Sequence, residues 1–211
     1  MTPGPGIART PLPQGFLASG VNCGVRRYRP DFGLIVSDRP AVGAGVFTEN
    51  RFAAAPVHYC RSILPSASIR AIVTNSGQAN AATGPEGVEN NRQLAFEVAK
   101  ELECFPREVL IASTGVIGPQ LDMAKLIPAI PELVERATDT AENFSLAILT
   151  TDLVPKTVST ELKLSKGSVR ITGICKGSGM IHPNMATMLG YLLTDAIVPL
   201  GKAHAYLKEA V

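Results

Sequence analysis

The stretch KGSGMIHPNMATMLGYLLTDA, residues 176–196, sets Gly177, Gly179, Pro183 and Asn184 ahead of the Ala186-Thr187 bond and then runs into an apolar segment. A turn followed by a strand does not require a threonine at that junction; a chain that cuts itself there does. A threonine hydroxyl is a weak nucleophile until a base or a strained carbonyl stands beside it. At a tight Gly/Pro turn the Thr187 hydroxyl can attack the Ala186 carbonyl, converting amide to ester, and water then opens the ester to leave a chain that begins with Thr187. The freed α-amine titrates at about 7.7–8.0 and can act as general base for its own hydroxyl. The alternative is a threonine that simply opens a strand after a turn.

Outward from this stretch, short apolar and β-branched runs bounded by Gly, Pro or Asp predict strands over 34–37, 45–48, 69–75, 109–113, 157–164 and 169–174. A helix is expected over 86–103, where Leu94, Ala95, Val98, Ala99 and Leu102 share one face, with Thr83 and Glu86 spaced as a capping box. The segment PQLDMAKLIPAIPELVERA is broken by Pro128 and Pro131, which predicts two short helices or a kinked pair. A further helix is expected over 139–149, and the last residues read as an amphipathic helix with Ala203, Leu207 and Val211 in register. Strands, helix, strand, helices and strands in that order indicate mixed α+β or layered α/β/α architecture rather than a repetitive βαβ series.

Two other stretches can carry chemistry. ASTGVIG, residues 112–118, ends a strand with Thr114 and Gly115, a hydroxyl and an amide that can both donate to one developing oxyanion; the alternative is an ordinary polar strand-to-loop turn. AILTTD, residues 147–152, places Thr150, Thr151 and Asp152 after an apolar run, either to bind the polar end of an amino-acid substrate or to cap a helix. Lys176 is a candidate partner for a substrate carboxylate. KGSG does not match a phosphate-binding loop, since the lysine precedes the glycines. His182 lies inside the turn and is a weaker candidate for proton transfer; His58 and His204 read as structural or surface residues.

Composition frames these readings. With 211 residues, 45% hydrophobic and 18% charged, the chain is an ordinary globular sequence with room for one sizeable core. Net charge is +2 with no basic stripe, which disfavours nucleic acid, and the cluster Arg26, Arg27 and Arg29 reads as solvated surface. Cys23, Cys60, Cys104 and Cys175 make no CxxC pair, so reduced, mostly buried thiols in a cytoplasmic protein are expected, with no metal site. The N-terminal stretch holds prolines where a signal peptide needs an apolar run, and no segment is long enough to span a membrane.

VFTENRFAAAPV (residues 46–57), TNSGQANAATG (74–84), ASTGVIG, AILTTD and KGSGMIHPNMATML occur in an order and spacing that resemble the ornithine acetyltransferase family, the bifunctional ArgJ proteins of arginine biosynthesis. The resemblance runs from about Gly15 onward. It implies a layered α/β (α+β) fold with mixed sheets, of the self-processing N-terminal-nucleophile type shared by DmpA and ArgJ. It further implies a precursor that cleaves itself at Ala186-Thr187, with residues 1–186 as the α-chain region and 187–211 as the start of the β-chain region, the two chains assembling as an α2β2 heterotetramer.

By the same resemblance, Thr187 takes the acetyl group from N-acetylornithine, releasing ornithine, and passes it to glutamate to form N-acetylglutamate. Thr114 and Gly115 match the oxyanion hole; Lys176, Thr187 and either Thr150 or Thr151 match substrate contacts. No cofactor is implied, and some members also accept acetyl-CoA as a substrate, which these motifs leave open. Family precursors are about twice this length, and their C-terminal half supplies a glutamate and an asparagine to the active site. Two other readings stand beside this one: an N-terminal-nucleophile aminopeptidase or amidase of similar fold, and a fragment inactive without its C-terminal half.

Overall fold

The computed structural model of this chain describes residues 9–165, 167–178 and 188–211. Four strands rich in β-branched and apolar residues, β1 (Phe16–Val21), β2 (Phe32–Gly43), β3 (Ser66–Gln78) and β4 (Val109–Val116), form one sheet in the order β1-β2-β3-β4. β1–β2 and β2–β3 are antiparallel, whereas β3–β4 is parallel. A parallel pair requires a crossover. Between β2 and β3 lies α1 (Ala55–Ile63), and the crossover itself is carried by α2 (Gly84–Glu101). Three short helices follow β4: α3 (Met123–Leu126), α4 (Ile130–Glu135) and α5 (Glu142–Ala147). A second, antiparallel sheet of β5 (Lys156–Leu164), β6 (Gly167–Lys176) and β7 (Leu189–Thr194) precedes α6 (Leu200–Ala210).

Successive side chains of a strand point to opposite faces, and the first sheet uses both. Phe32 and Leu34 of β2, Ala71 and Val73 of β3, and Val109 and Ile111 of β4 face Leu94, Ala95, Val98 and Ala99 of α2, together with Leu126, Ile130 and Leu133. The intervening Ala18 and Ile35 face the other way, onto Phe144 and Ile148 and onto Ile174, Tyr191 and Leu193 of the second sheet. The layers are therefore helices, first sheet, and then α5 with the second sheet. Phe144 and Tyr191 meet edge to face, 5.1 Å between centroids and 85° between planes, and burying a side chain such as Phe144 contributes about 1.5–3 kcal/mol. Gly20 is required where α5 crosses β1, because a Cβ there would lie 2.1 Å from the Asn143 carbonyl oxygen.

The layered α+β organisation agrees with expectation, and so do the strands over 34–37, 69–75, 109–113, 157–164 and 169–174, each extended by its pairing. Four local readings are corrected. Residues 45–48 form no strand, because β2 already occupies the edge of β3 on that side. β1 was not anticipated: FLASGV holds small residues, and its place in the sheet comes from pairing with β2 along its whole length. Thr83 and Glu86 form no capping box, since the Thr83 hydroxyl donates to Asn80 Oδ1 at 2.8 Å. The helix expected over 139–149 is only Glu142–Ala147. The proline-broken segment does split into α3, a 3-10 turn at Ile127–Ala129, and α4.

Among the described residues no helix is long and apolar enough to cross a membrane. α6 has no buried residue: Ala203 and Leu207 are half-buried and Val211 is exposed. The four thiols are free, but only Cys60 is buried, the other three being half-buried. Burial pushes the Cys60 thiol up to about 11 and the Cys23 thiol to about 12, which keeps both protonated and poorly nucleophilic near neutrality.

Candidate active site

The parallel strands β3 and β4 run side by side to a common end, where Ser76 is opposite Thr114 and Gly77 is opposite Gly115. Gly115 has φ +138, and a Cβ on it would sit 2.3 Å from the Gly77 carbonyl carbon. No other residue fits without separating the strands. The close approach leaves Thr114 half-buried and Gly115 exposed at the lip of the sheet.

Lys176 is the last residue of β6 and reaches this lip from the second sheet: its Nζ donates to Thr114 Oγ1 at 3.0 Å. A hydroxyl pair, Thr74 Oγ1 and Tyr191 Oη at 2.9 Å, also joins the two sheets deeper in the core and holds them in register. Lys176 is only 5% exposed. Desolvation of its ammonium, with the charges of Lys156 and Arg26 nearby, holds its pKa below the ordinary lysine value, against the opposing influence of Asp152.

Asp152 organises the base of the cluster. It is 2% exposed, and its Oδ1 accepts from Lys156 Nζ at 2.6 Å and from the Gly177 amide at 2.8 Å. Burial by itself works to raise its pKa, but those two hydrogen bonds and the charges of Lys156 and Lys176 outweigh burial and hold the carboxyl below its usual range. Asp152 thus anchors Gly177, the residue after Lys176, and does not cap a helix. Arg26 secures the same segment from the other side: its guanidinium donates to the carbonyls of Leu149 and Thr150, the latter at 3.3 Å. Its backbone is held in turn by Asp31, whose two carboxylate oxygens accept from the amides of Cys23 at 2.7 Å and Arg26 at 2.6 Å.

Of the residues singled out in the sequence, Thr114, Gly115 and Lys176 converge directly. Thr150, half-buried, and Thr151, exposed, are linked to them only along the chain, through Asp152, which accepts from the Gly177 amide next to Lys176, while Arg26 holds the Thr150 carbonyl. Ala186, Thr187 and His182 lie outside the described residues. The reading of Arg26 as solvated surface is corrected: Arg27 and Arg29 are exposed, but Arg26 is half-buried and fully engaged. Asp31 and Lys156 also went unrecognised. Their partners are close in sequence, the amides of Cys23 and Arg26 eight and five residues before Asp31 and the Asp152 carboxylate four residues before Lys156, but no sequence motif marks these pairings. Among the described residues no group of three or more His, Cys, Asp and Glu side chains is placed to hold a metal ion.

A hydroxyl and an adjacent glycine amide at a shared strand end, with a buried ammonium against the hydroxyl, form a site suited to stabilising a developing oxyanion. The fold around it is similar to that of the L-aminopeptidase D-Ala-esterase/amidase from Ochrobactrum anthropi, a variant of the Ntn-hydrolase fold. The TM-score is 0.53 at 12% identity, with 99% of this chain and 69% of that chain covered, so the likeness is one of fold alone. The ArgJ family model matches residues 17–211, and the chain belongs to the ArgJ family.

It is 48% identical over 189 residues to the arginine biosynthesis bifunctional protein ArgJ 1 of Nostoc sp., covering 88% of this chain and 46% of that protein. It is 46% identical over 203 residues to ArgJ of Thermotoga neapolitana, covering 95% and 51%. The chain spans about half the length of the curated relatives it matches. Among solved structures, ArgJ from Bacillus halodurans superposes with TM-score 0.77 at 38% identity, covering 82% of this chain and 92% of that one. The ornithine acetyltransferase of Mycobacterium tuberculosis in complex with ornithine gives 0.76 at 36%, covering 82% and 94%.

Proposed function

We propose that this chain is the N-terminal part of a self-processing acetyltransferase of arginine biosynthesis, which moves acetyl from N-acetylornithine to glutamate through an acetyl-Thr187 intermediate. The observation that carries the reading is the convergence of Thr114, Gly115 and Lys176 at one strand end in a chain of the ArgJ family. Thr114 Oγ1 and the Gly115 amide donate to the oxyanion formed when Thr187 attacks the acetyl carbonyl, and they serve again when glutamate attacks the acetyl-enzyme. The freed α-amine of Thr187 takes the hydroxyl proton in the first step and returns a proton to the leaving ornithine amine. Lys176 and one of Thr150 and Thr151 contact the amino-acid portion of the substrates. Any use of acetyl-CoA is as an alternative acetyl donor rather than as a bound cofactor.

Cleavage at Ala186-Thr187 separates an α-chain region, 1–186, from a β chain that begins at Thr187, and the two remain together as an α2β2 heterotetramer in the cytoplasm. Support for processing comes from lengths: this chain covers 92% and 94% of the solved family chains but only 46% and 51% of the curated relatives. The solved chains are therefore much shorter than the full proteins, as the product of a cut precursor is.

The test is the denatured mass of the protein expressed from its complete reading frame, followed by an acceptor assay. Two species meeting at Ala186/Thr187, and loss of acetyl from N-acetylornithine that glutamate accelerates, are expected; Thr187→Ala abolishes both. Acetyl loss to water at a rate indifferent to glutamate would instead make the protein an amidase.

A further inference from the structure

We infer that Lys176 acts on catalysis through Thr114, as a positioning residue that forces the Thr114 hydroxyl to present its proton to the reacting carbonyl. This deepens the acetyl-transfer reading of the same site and rests on it for its kinetic arm.

The argument is one of hydrogen-bond polarity. A hydroxyl has one donor and two acceptor positions, and in an arbitrary setting it rotates to either role; a lysine ammonium has three donors and no acceptor. Lys176 Nζ stands 3.0 Å from Thr114 Oγ1. In that pair the lysine must donate and the threonine must accept, so the Thr114 proton is directed elsewhere. Thr114 lies two residues before the end of β4, beside Gly115, whose contact with Gly77 fixes the backbone; the half-buried hydroxyl sits at the lip of the sheet, and its proton, turned away from Lys176, is left free for a group bound there. An ammonium pulling on the oxygen also polarises the O–H bond and makes it a stronger donor.

The surroundings keep this arrangement in place. Lys176 is buried, so water does not compete for its protons. Its charge is sustained by Asp152, which also fixes the following residue through the Gly177 amide, while Lys156 takes the other hydrogen bond of Asp152 Oδ1. Oxyanion donation is fixed before substrate arrives, which is where such sites gain most of their effect. One proton of the ammonium is used on Thr114, and the remaining two can serve a substrate carboxylate. Lys176 then carries two separable contributions, one to turnover and one to binding.

A double-mutant cycle separates them. In protein expressed from its complete reading frame, kcat and KM for acetyl transfer from N-acetylornithine to glutamate are measured for wild type, Lys176→Met, Thr114→Val and the double variant. Lys176→Met lowers kcat about 10-fold or more with Thr114 present but less than about 2-fold in the Thr114→Val background. Equal kcat losses in the two backgrounds, or a rise in KM with kcat unchanged, would overturn the inference.

A second measurement needs neither activity nor a lysine substitution that folds well. The titration of Lys176, followed by 13C NMR of labelled lysine, moves to lower pH in Thr114→Val, because the ammonium loses an acceptor. An unmoved titration sinks the inference. A wild type that transfers no acetyl removes the acetyltransferase reading, and the titration then decides the hydroxyl's orientation independently.

Discussion

Lys176 Nζ lies 3.0 Å from Thr114 Oγ1 and so ties the end of β6 in one sheet to the end of β4 in the other. Neither strand contains both halves of the site. Thr114 belongs to the mixed sheet and Lys176 to the antiparallel one, so the geometry of the pair depends on how the sheets stack across Phe144, Thr74 and Tyr191.

Thr114→Val, which keeps shape and removes the hydroxyl, is expected to slow acetyl transfer by about 10²-fold or more. Thr114→Ser keeps the hydroxyl and is expected to retain most of the rate. Steady-state kinetics of the two variants decides the point; a valine variant at wild-type rate would return Thr114 to a plain strand-end residue.

Alkaline pH should disarm the site at a pH below the ordinary lysine value of 10.5, because burial and the charges of Lys156 and Arg26 lower the Lys176 pKa against the pull of Asp152. As pH rises through that lowered pKa the ammonium becomes an amine, which accepts a hydrogen bond and draws the Thr114 proton back toward itself. The expected result is a falling alkaline limb in kcat that Thr114→Val flattens. A limb of the same shape in the valine variant would assign the titration to another group.

Gly115→Ala is expected to cost at least about 2 kcal/mol, since the backbone has positive φ and the new methyl would overlap Gly77. β3 and β4 must separate at their ends, so acetyl transfer is lost together with stability. Thermal melts and activity measured on one preparation test this; an alanine variant with wild-type melting would show that the strand ends yield more easily than their spacing indicates.

Asp152 contributes acid-sensitive stability. Its pKa in the folded chain lies below the ordinary 3.8, so between the two values the unfolded chain binds more protons than the folded one. The contribution is therefore present above the ordinary value and is lost as pH falls through the lowered one. Asp152→Asn, buried beside Lys156 and the Gly177 amide, is expected to cost about 1–3 kcal/mol at neutral pH and to weaken the dependence of stability on pH in the acid range. Denaturant melts of both proteins at several acid pH values measure it, and parallel curves would contradict the assignment.

Much of the molecule is set by local sequence. Alternating β-branched residues specify β2, β3, β4, β5 and β6; the repeat of Leu94, Ala95, Val98 and Ala99 specifies α2 and its buried face; Pro128 and Pro131 break the helical segment after β4. The order of the motifs around Thr114, Thr150, Lys176 and Thr187 points to the ArgJ family, because each motif is contiguous and its chemistry is carried by neighbouring residues. The tertiary structure alone decided how those motifs meet. Thr114 and Lys176 are 62 residues apart, Arg26 and the carbonyls it holds 123 and 124, and Asp152 and Gly177 25. No periodicity spans such distances, and a charged residue looks the same in sequence whether it is solvated, as Arg27 is, or drawn under a loop by Asp31, as Arg26 is. Pairing likewise overrode propensity at β1, which became a strand because β2 offered it an edge, and at residues 45–48, which found no edge to join.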